Sequence, residues 1–190
     1  MALKCGIVGL PNVGKSTLMN HLIGQKIAIT SYKPQTTRTQ IRTILTCDQG
    51  QVVFLDTPGI HASRTKMGEY MVKAAESTLK EVDVILYLVE PREKISSEDT
   101  MIMELLAKVK TPVLLVINKI DTVKKALVLP VIDAYQRAYP ADNLRAIVPV
   151  SARKGDNADD LLRELFALLP EGEPFYDEEE ITTQTEREIA

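Results

Sequence analysis

A three-layer α/β sandwich is predicted, with a six-stranded, mostly parallel sheet, one antiparallel hairpin and about five flanking helices. Three observations predict it. Apolar β-branched runs alternate along the chain with helical patterns, the signature of βαβ units. A glycine-rich loop, Gly9 to Ser16, joins the first apolar run to the first helical one. The segment Cys47-Asp48-Gln49-Gly50 is a turn signal between adjacent strands, which sets one antiparallel pair into the sheet.

In chain order, strands are expected near 3–8, 39–47, 51–56, 84–89, 112–118 and 146–151. Val52 to Leu55 and Val113 to Ile117 read as buried strands, Leu3 to Val8 as an apolar strand run and Ala146 to Val150 as a strand. Helices are expected near 15–24, 67–80, 97–109, 123–139 and 158–169. The last shows the clearest helical spacing, with Leu161, Leu162, Leu165, Phe166 and Leu169 on one face.

A chain of 190 residues, 45% apolar and 26% charged, suits one domain with a full core. No apolar run approaches the ~20 residues of a membrane span, and the N-terminus lacks a signal-peptide segment, so a cytoplasmic protein is expected. Cys5 and Cys47 fall in predicted strands without metal-ligand spacing and read as small buried hydrophobes. The net charge of −3 divides unevenly, because residues 171 to 190 hold eight acids and one base. The remaining +4 on residues 1 to 170 is too small to imply nucleic-acid binding. Domain boundaries follow: residues 1–170 form a nucleotide-binding domain and 171–190 an acidic linker.

Gly9-Leu10-Pro11-Asn12-Val13-Gly14-Lys15-Ser16 matches the phosphate loop GxxxxGK[ST], here after a strand and before a helix. This assigns a P-loop NTPase. The glycines let backbone N–H groups turn toward phosphates, Lys15 reaches the β- and γ-phosphates, and the Ser16 hydroxyl suits Mg²⁺. Thr17 continues the helix start, whose dipole favours the same anion.

Asp56-Thr57-Pro58-Gly59 is a DxxG string, expected about once by chance in such a chain. Its place after the third strand run gives it weight, because ligands of open α/β sheets bind at the carboxyl edge. Asp56 is expected to hold Mg²⁺ through water opposite Ser16, and the Gly59 N–H to sense a γ-phosphate. Asn118-Lys119-Ile120-Asp121 likewise follows a buried strand and selects the base. Guanine presents N1 and N2 donors that one carboxylate, Asp121, accepts together, whereas adenine offers an acceptor and no 2-amino group. Such a site discriminates by about 10⁴ or more, since the wrong base leaves a buried carboxylate unpaired. Asn118 is expected to tie loops together and the Lys119 stem to cover the ring face. Ser151-Ala152-Arg153 falls where a backbone N–H meets guanine O6, one strand and helix beyond Asn118, with a plain turn as the alternative. The cofactors implied are GTP/GDP and Mg²⁺.

These four segments, with Pro11 to Asn20, Pro34-Gln35-Thr36-Thr37-Arg38 and Phe54 to His61, resemble the Era family of translation-factor-related GTPases over most of the chain. The first 17 residues are also similar to Obg-like ATPases, but that family departs from the NKxD pattern that is intact here. The resemblance implies GTP hydrolysis, a role in small-subunit ribosome assembly, and a following KH-type domain that contacts small-subunit rRNA. It also implies peripheral association with the inner membrane. This chain without that domain is not expected to bind RNA tightly, and a monomer is expected because no coiled-coil heptad is present.

Between the first helix and second strand, Lys26 to Arg38 forms a long polar loop that suits a switch closing over the γ-phosphate. The family pattern points to Thr37 as a further Mg²⁺ ligand, with Thr36 second. Many GTPases carry Gln after the DxxG glycine to orient the attacking water; Ile60 stands here and can neither donate nor accept a hydrogen bond. Nearby His61 reads better as an exposed loop residue than as a base, so slow hydrolysis is expected. A nucleotide-gated binding module with negligible turnover is the alternative that Ile60 keeps open. Asn12 has two readings: turn geometry, or a ligand of K⁺, since related GTPases with this Asn resemble potassium-activated enzymes. At the far end, Thr185-Glu186-Arg187-Glu188 is a helix-start pattern only two residues before Ala190, which leads us to expect a truncated chain.

Overall fold

The computed structural model describes residues 2–24, 41–47, 49–56, 73, 76–77 and 79–168. Six strands form one sheet: β1 (Ala2–Gly9), β2 (Ile41–Cys47), β3 (Gly50–Asp56), β4 (Val84–Val89), β5 (Val113–Ile117) and β6 (Leu144–Pro149). Their spatial order is β2-β3-β1-β4-β5-β6, parallel throughout except for the β2–β3 hairpin. The expected hairpin pairs from Ile41 opposite Asp56 to Cys47 opposite Gly50.

Strands β4 and β5 are buried along their whole length, and the pleat divides the sheet's side chains between two cores. Val84, Leu86 and Leu88 of β4 join one core while Ile85, Tyr87 and Val89 join the other. Helix α1 (Lys15–Ile23) supplies Leu18, Met19 and Leu22 to the first core, and α4 (Ala158–Ala167) adds Leu161 and Leu165. Helix α2 (Ser97–Leu106) supplies Ile102, Met103 and Leu106 to the second, and α3 (Val128–Ala138) adds Val131 and Tyr135. Residues 73, 76–77 and 79–81 are also helical, in the region of the helix expected at 67–80 and reaching one residue past it, and Leu79 packs in the second core. Helices thus cover both faces, as the three-layer prediction required.

Two helix boundaries differ from expectation for identifiable reasons. The helix expected from residue 123 begins at Val128, after short 3-10 turns at Ile120–Thr122 and Lys125–Leu127. Pro130 has no N–H to give to a preceding turn, so it is tolerated only in the first turn of the helix. Helix α2 ends at Leu106 rather than 109, where Lys108 and Val109 donate to Leu105 and Leu106 in tighter i to i−3 bonds. Asn143 closes that end: its Nδ2 donates to the carbonyls of Leu106, Val109 and Thr111, each at 3.0 Å, and its Oδ1 accepts from Tyr139 at 3.1 Å.

Helix α2 starts on a buried polar cluster. Ser96 Oγ accepts from the Asp99 N–H, while Asp99, only 5% exposed, accepts from Ser96 Oγ at 2.9 Å and from Tyr87 Oη at 2.6 Å. Cys5 is buried as expected, and burial pushes its thiol far above the ordinary range. The side chain of Cys47 lies outside the described residues. Among the described residues, no helix is long and apolar enough to cross a membrane.

Candidate functional site

The carboxyl ends of β1, β4 and β5 open onto one crevice. Helix α1, after β1, packs on one face of the sheet and α2, after β4, on the other, so the chain parts between the two strands. Gly9 stands at this parting, paired with Leu88. A Cβ at Gly9 would lie 2.7 Å from the Leu88 carbonyl oxygen and 2.8 Å from Val13 Cγ2, so only glycine fits the strand end.

From there the phosphate loop turns on Asn12 (φ 64°) and Gly14 (φ 101°), both left-handed, and enters α1 at Lys15. Helix α1 begins without a side-chain cap hydrogen bond, and a helix N-terminus of this kind favours an anion. Lys15 is 8% exposed, and its Nζ donates to the carbonyls of Gly9 at 3.2 Å and Leu10 at 3.0 Å. The ammonium is therefore held inside the loop. Pro11 is half-buried, and Ser16 and Thr17 follow in the first helical turn, also half-buried.

Asn118 is the hub of the site. Just past β5 and 1% exposed, it donates from Nδ2 to the Val13 carbonyl at 2.8 Å and accepts at Oδ1 from the Ala152 N–H at 2.9 Å. Its own N–H donates to Val89 of β4 at 2.8 Å. The expectation that Asn118 ties loops together is met for three segments at once. It also narrows another expectation: the Ala152 N–H is committed to Asn118, and Arg153, the next residue of the same turn, is exposed.

Lys119 takes a left-handed backbone, φ 62°, unusual for a long side chain and costing on the order of 1–3 kcal/mol. Its Nζ donates to the Asn12 carbonyl at 2.6 Å and to Glu90 Oε1 at 2.5 Å, so the stem is drawn across the crevice mouth. Asp121, in the 3-10 turn, accepts at Oδ1 from Ser151 Oγ at 2.7 Å. That hydroxyl bond, aided by the charges of Lys154 and Arg153, holds the Asp121 carboxyl below its ordinary range despite some desolvation. The turn at 151–156 is fixed by Gly155 N–H to the Ser151 carbonyl at 2.7 Å and Ser151 N–H to the Asp156 carbonyl at 3.1 Å.

Glu90 is a residue that sequence reading missed. It lies directly after β4, the position from which the topology delivers residues to the crevice, and that placement was the available signal. Arg92 Nη2 donates to its Oε2 at 2.7 Å. Burial raises the Glu90 pKa, but the hydrogen bonds and charges of Lys119 and Arg92 outweigh it and set the carboxyl below its ordinary range.

Asp56 ends β3, and its backbone pairs with Ile7 one strand from the phosphate loop; its side chain lies outside the described residues. Thr36, Thr37, Thr57, Pro58, Gly59, Ile60 and His61 also lie outside them. Among the described residues there is no cluster of three or more His, Cys, Asp or Glu side chains that would hold a metal by itself. A metal here would need hydroxyl, carboxylate and phosphate oxygens together. The Ser16 hydroxyl at the start of α1 and the strand end at Asp56 share one sheet edge, and such hard oxygen donors suit Mg²⁺.

Residues 4–119 match the family described as 50S ribosome-binding GTPase. The chain is 47% identical over 193 residues to the GTPase Era of Ruminiclostridium cellulolyticum, covering 100% of this chain and 64% of that protein. It is 50% identical over 183 residues to the GTPase Era of Geotalea uraniireducens, covering 96% and 61%. The fold superposes on a crystal structure of Era in complex with MgGDPNP and nucleotides 1506–1542 of 16S ribosomal RNA. That likeness has a TM-score of 0.89 and 40% identity, covering 97% of this chain and 62% of the other. A single-residue variant of Aquifex aeolicus Era bound to GDP·AlF4⁻ gives a TM-score of 0.88 at 41% identity, covering 97% and 62%. The chain spans a little under two thirds of the length of these curated relatives.

Proposed function

Because the chain belongs to the 50S ribosome-binding GTPase family, and within it to the Era GTPases, we propose that it is a GTP-binding and GTP-hydrolysing switch domain. Residues 1–170 form that domain, and 171–190 lead toward an RNA-binding domain through which the whole protein acts in small-subunit assembly. The solved Era complex with 16S rRNA nucleotides supports this choice of subunit. The whole protein works in the cytoplasm, with peripheral contact at the inner membrane, and this domain is a monomer.

One observation carries the nucleotide reading: Asn118 bonds the phosphate loop at Val13 and the base loop at Ala152, with Asp121 pinned by Ser151 beside it. A phosphate cradle and a guanine-selective carboxylate are thereby built as one unit. Asp121 accepts the guanine N1 and N2 protons, the Lys119 stem covers the ring, and the Arg153 N–H is the donor to O6. Lys15 trades its carbonyl partners for the β- and γ-phosphates, joined by the N–H groups of Gly14 to Thr17. Thr37 and Gly59 respond to the γ-phosphate. Ser16, Thr37 and Asp56 hold Mg²⁺, which when bound offsets phosphate charge. The left-handed turn explains an Asn at position 12 by itself, and its exposed side chain additionally suits K⁺.

The test is binding of GTP, GDP and ATP, followed by single-turnover hydrolysis in KCl and in NaCl. Guanine-selective binding with turnover above that of Lys15→Ala protein is expected, faster in KCl. Selective binding with turnover no higher than Lys15→Ala would favour a binding module, which Ile60 makes the competing reading. Equal rates in both salts would end the potassium assignment.

A further inference from the structure

We infer that Glu90 is a positioning residue that retains the guanine nucleotide through Lys119, an inference that rests on the nucleotide-binding reading above. Lys119 leaves the backbone in a left-handed conformation, and an ammonium on a four-carbon stem has many rotamers to lose. Two acceptors fix it. One, the Asn12 carbonyl, belongs to the phosphate loop and moves with it. The other, Glu90 Oε1, is attached to β4, whose six residues are all buried, so it is anchored to the sheet itself. Glu90 therefore supplies the rigid end of the tether.

The geometry around Glu90 suits that task. Its side chain is 24% exposed and Lys119 35%, so the pair is partly shielded from solvent and salt. Its second oxygen accepts from Arg92, so Oε1 is the oxygen that faces Lys119. Arg92 is 62% exposed, and its own bond should count for little. Without Glu90, Lys119 and Arg92 would lose the carboxylate that they share. Lys119 would keep only the Asn12 carbonyl, and its stem would cover the base for a smaller fraction of the time.

The test is GDP release, followed by chasing a fluorescent GDP with excess unlabelled GDP, for the unmodified chain, E90A, E90Q, K119A and the double variant E90A/K119A. Nucleotide-free melting temperatures accompany each. E90A is expected to accelerate release about tenfold and E90Q about threefold, because the amide keeps an acceptor but loses the charge. R92A should change release by no more than about twofold. In the K119A background, E90A should add less than about twofold, a non-additivity that a purely structural role would not produce. Release from E90A within twofold of the unmodified chain would overturn the inference, as would the same acceleration with and without Lys119. If E90A does not fold, E90Q carries the same cycle. An unmodified chain that holds no GDP would sink the nucleotide reading itself, whereas one that holds GDP beside an unaffected E90A would sink only the role of Glu90.

Discussion

The Asn118 side-chain nitrogen occupies the space where a side chain at Gly14 would begin. The phosphate loop and the base loop are thus in contact through the absence of a Cβ. Gly14 is also left-handed at φ 101°, so a substitution is strained in addition to being crowded. Gly14→Ala should separate Asn118 from Val13 and weaken GDP binding at least a hundredfold, read by calorimetry, with a lower melting temperature in the same protein.

Asn118→Ala tests the hub from the other side. It would leave the buried Val13 carbonyl and Ala152 N–H without their partner, at about 1–3 kcal/mol each. Urea unfolding without nucleotide should show a loss of that order. A loss below about 0.5 kcal/mol would mean that the two loops are held by other contacts.

Asp121→Asn should exchange guanine for xanthine preference, because the amide supplies a donor where the carboxylate supplied only acceptors. Competition between GDP and XDP checks this. Retained GDP preference would show that Asp121 does not read the base.

The pH dependence of base recognition follows from Ser151. Its hydroxyl holds the Asp121 carboxyl below the ordinary range, so the carboxylate is charged in the folded state at pH values where an unfolded one is protonated. Stability from this bond is present above the ordinary value of about 4 and is lost as pH falls through the lower folded value. Ser151→Ala should move the acid limb of GDP affinity upward toward about pH 4 while leaving affinity between about pH 6 and 8 without a carboxylate titration. An unchanged acid limb would assign the shift to other charges.

Tyr87→Phe probes the buried cluster beneath α2, away from the nucleotide. Asp99 would lose its 2.6 Å donor while remaining buried, at a cost of about 1–3 kcal/mol in urea unfolding. GDP affinity should hold within about twofold.

Legibility in the sequence followed how local each feature is. The phosphate loop and Asn118 to Asp121 were readable because each function needs particular residue types within a few positions, next to a buried strand. The β2–β3 hairpin was readable from its turn residues. Glu90 was not, since a glutamate after a strand has no meaning until the sheet order brings it beside Lys119, 29 residues away. Asn118 was expected to tie loops, but its donor reaches back 105 residues to Val13, a partner that only the packed sheet identifies. The start of α3 is not legible in apolar spacing, which ignores that Pro130 must fall in the first helical turn.

Asn143, at the opposite end of the sheet, distributes two amide protons over three carbonyls from α2 and the segment before β5. All of its partners belong to that end of the sheet, whereas the phosphate loop and the uncapped start of α1 lie at the other. The proposed nucleotide therefore engages one end of the domain, and the Asn143 network belongs to the other. Hydrogen exchange should register this polarity: amides around residues 106–113 and 143 should stay equally protected with and without GDP, while those of residues 12–18 and 150–153 should slow on binding. A nucleotide would thus act on the molecule as a keystone at one rim, without reorganising the opposite rim on which the sheet is seated.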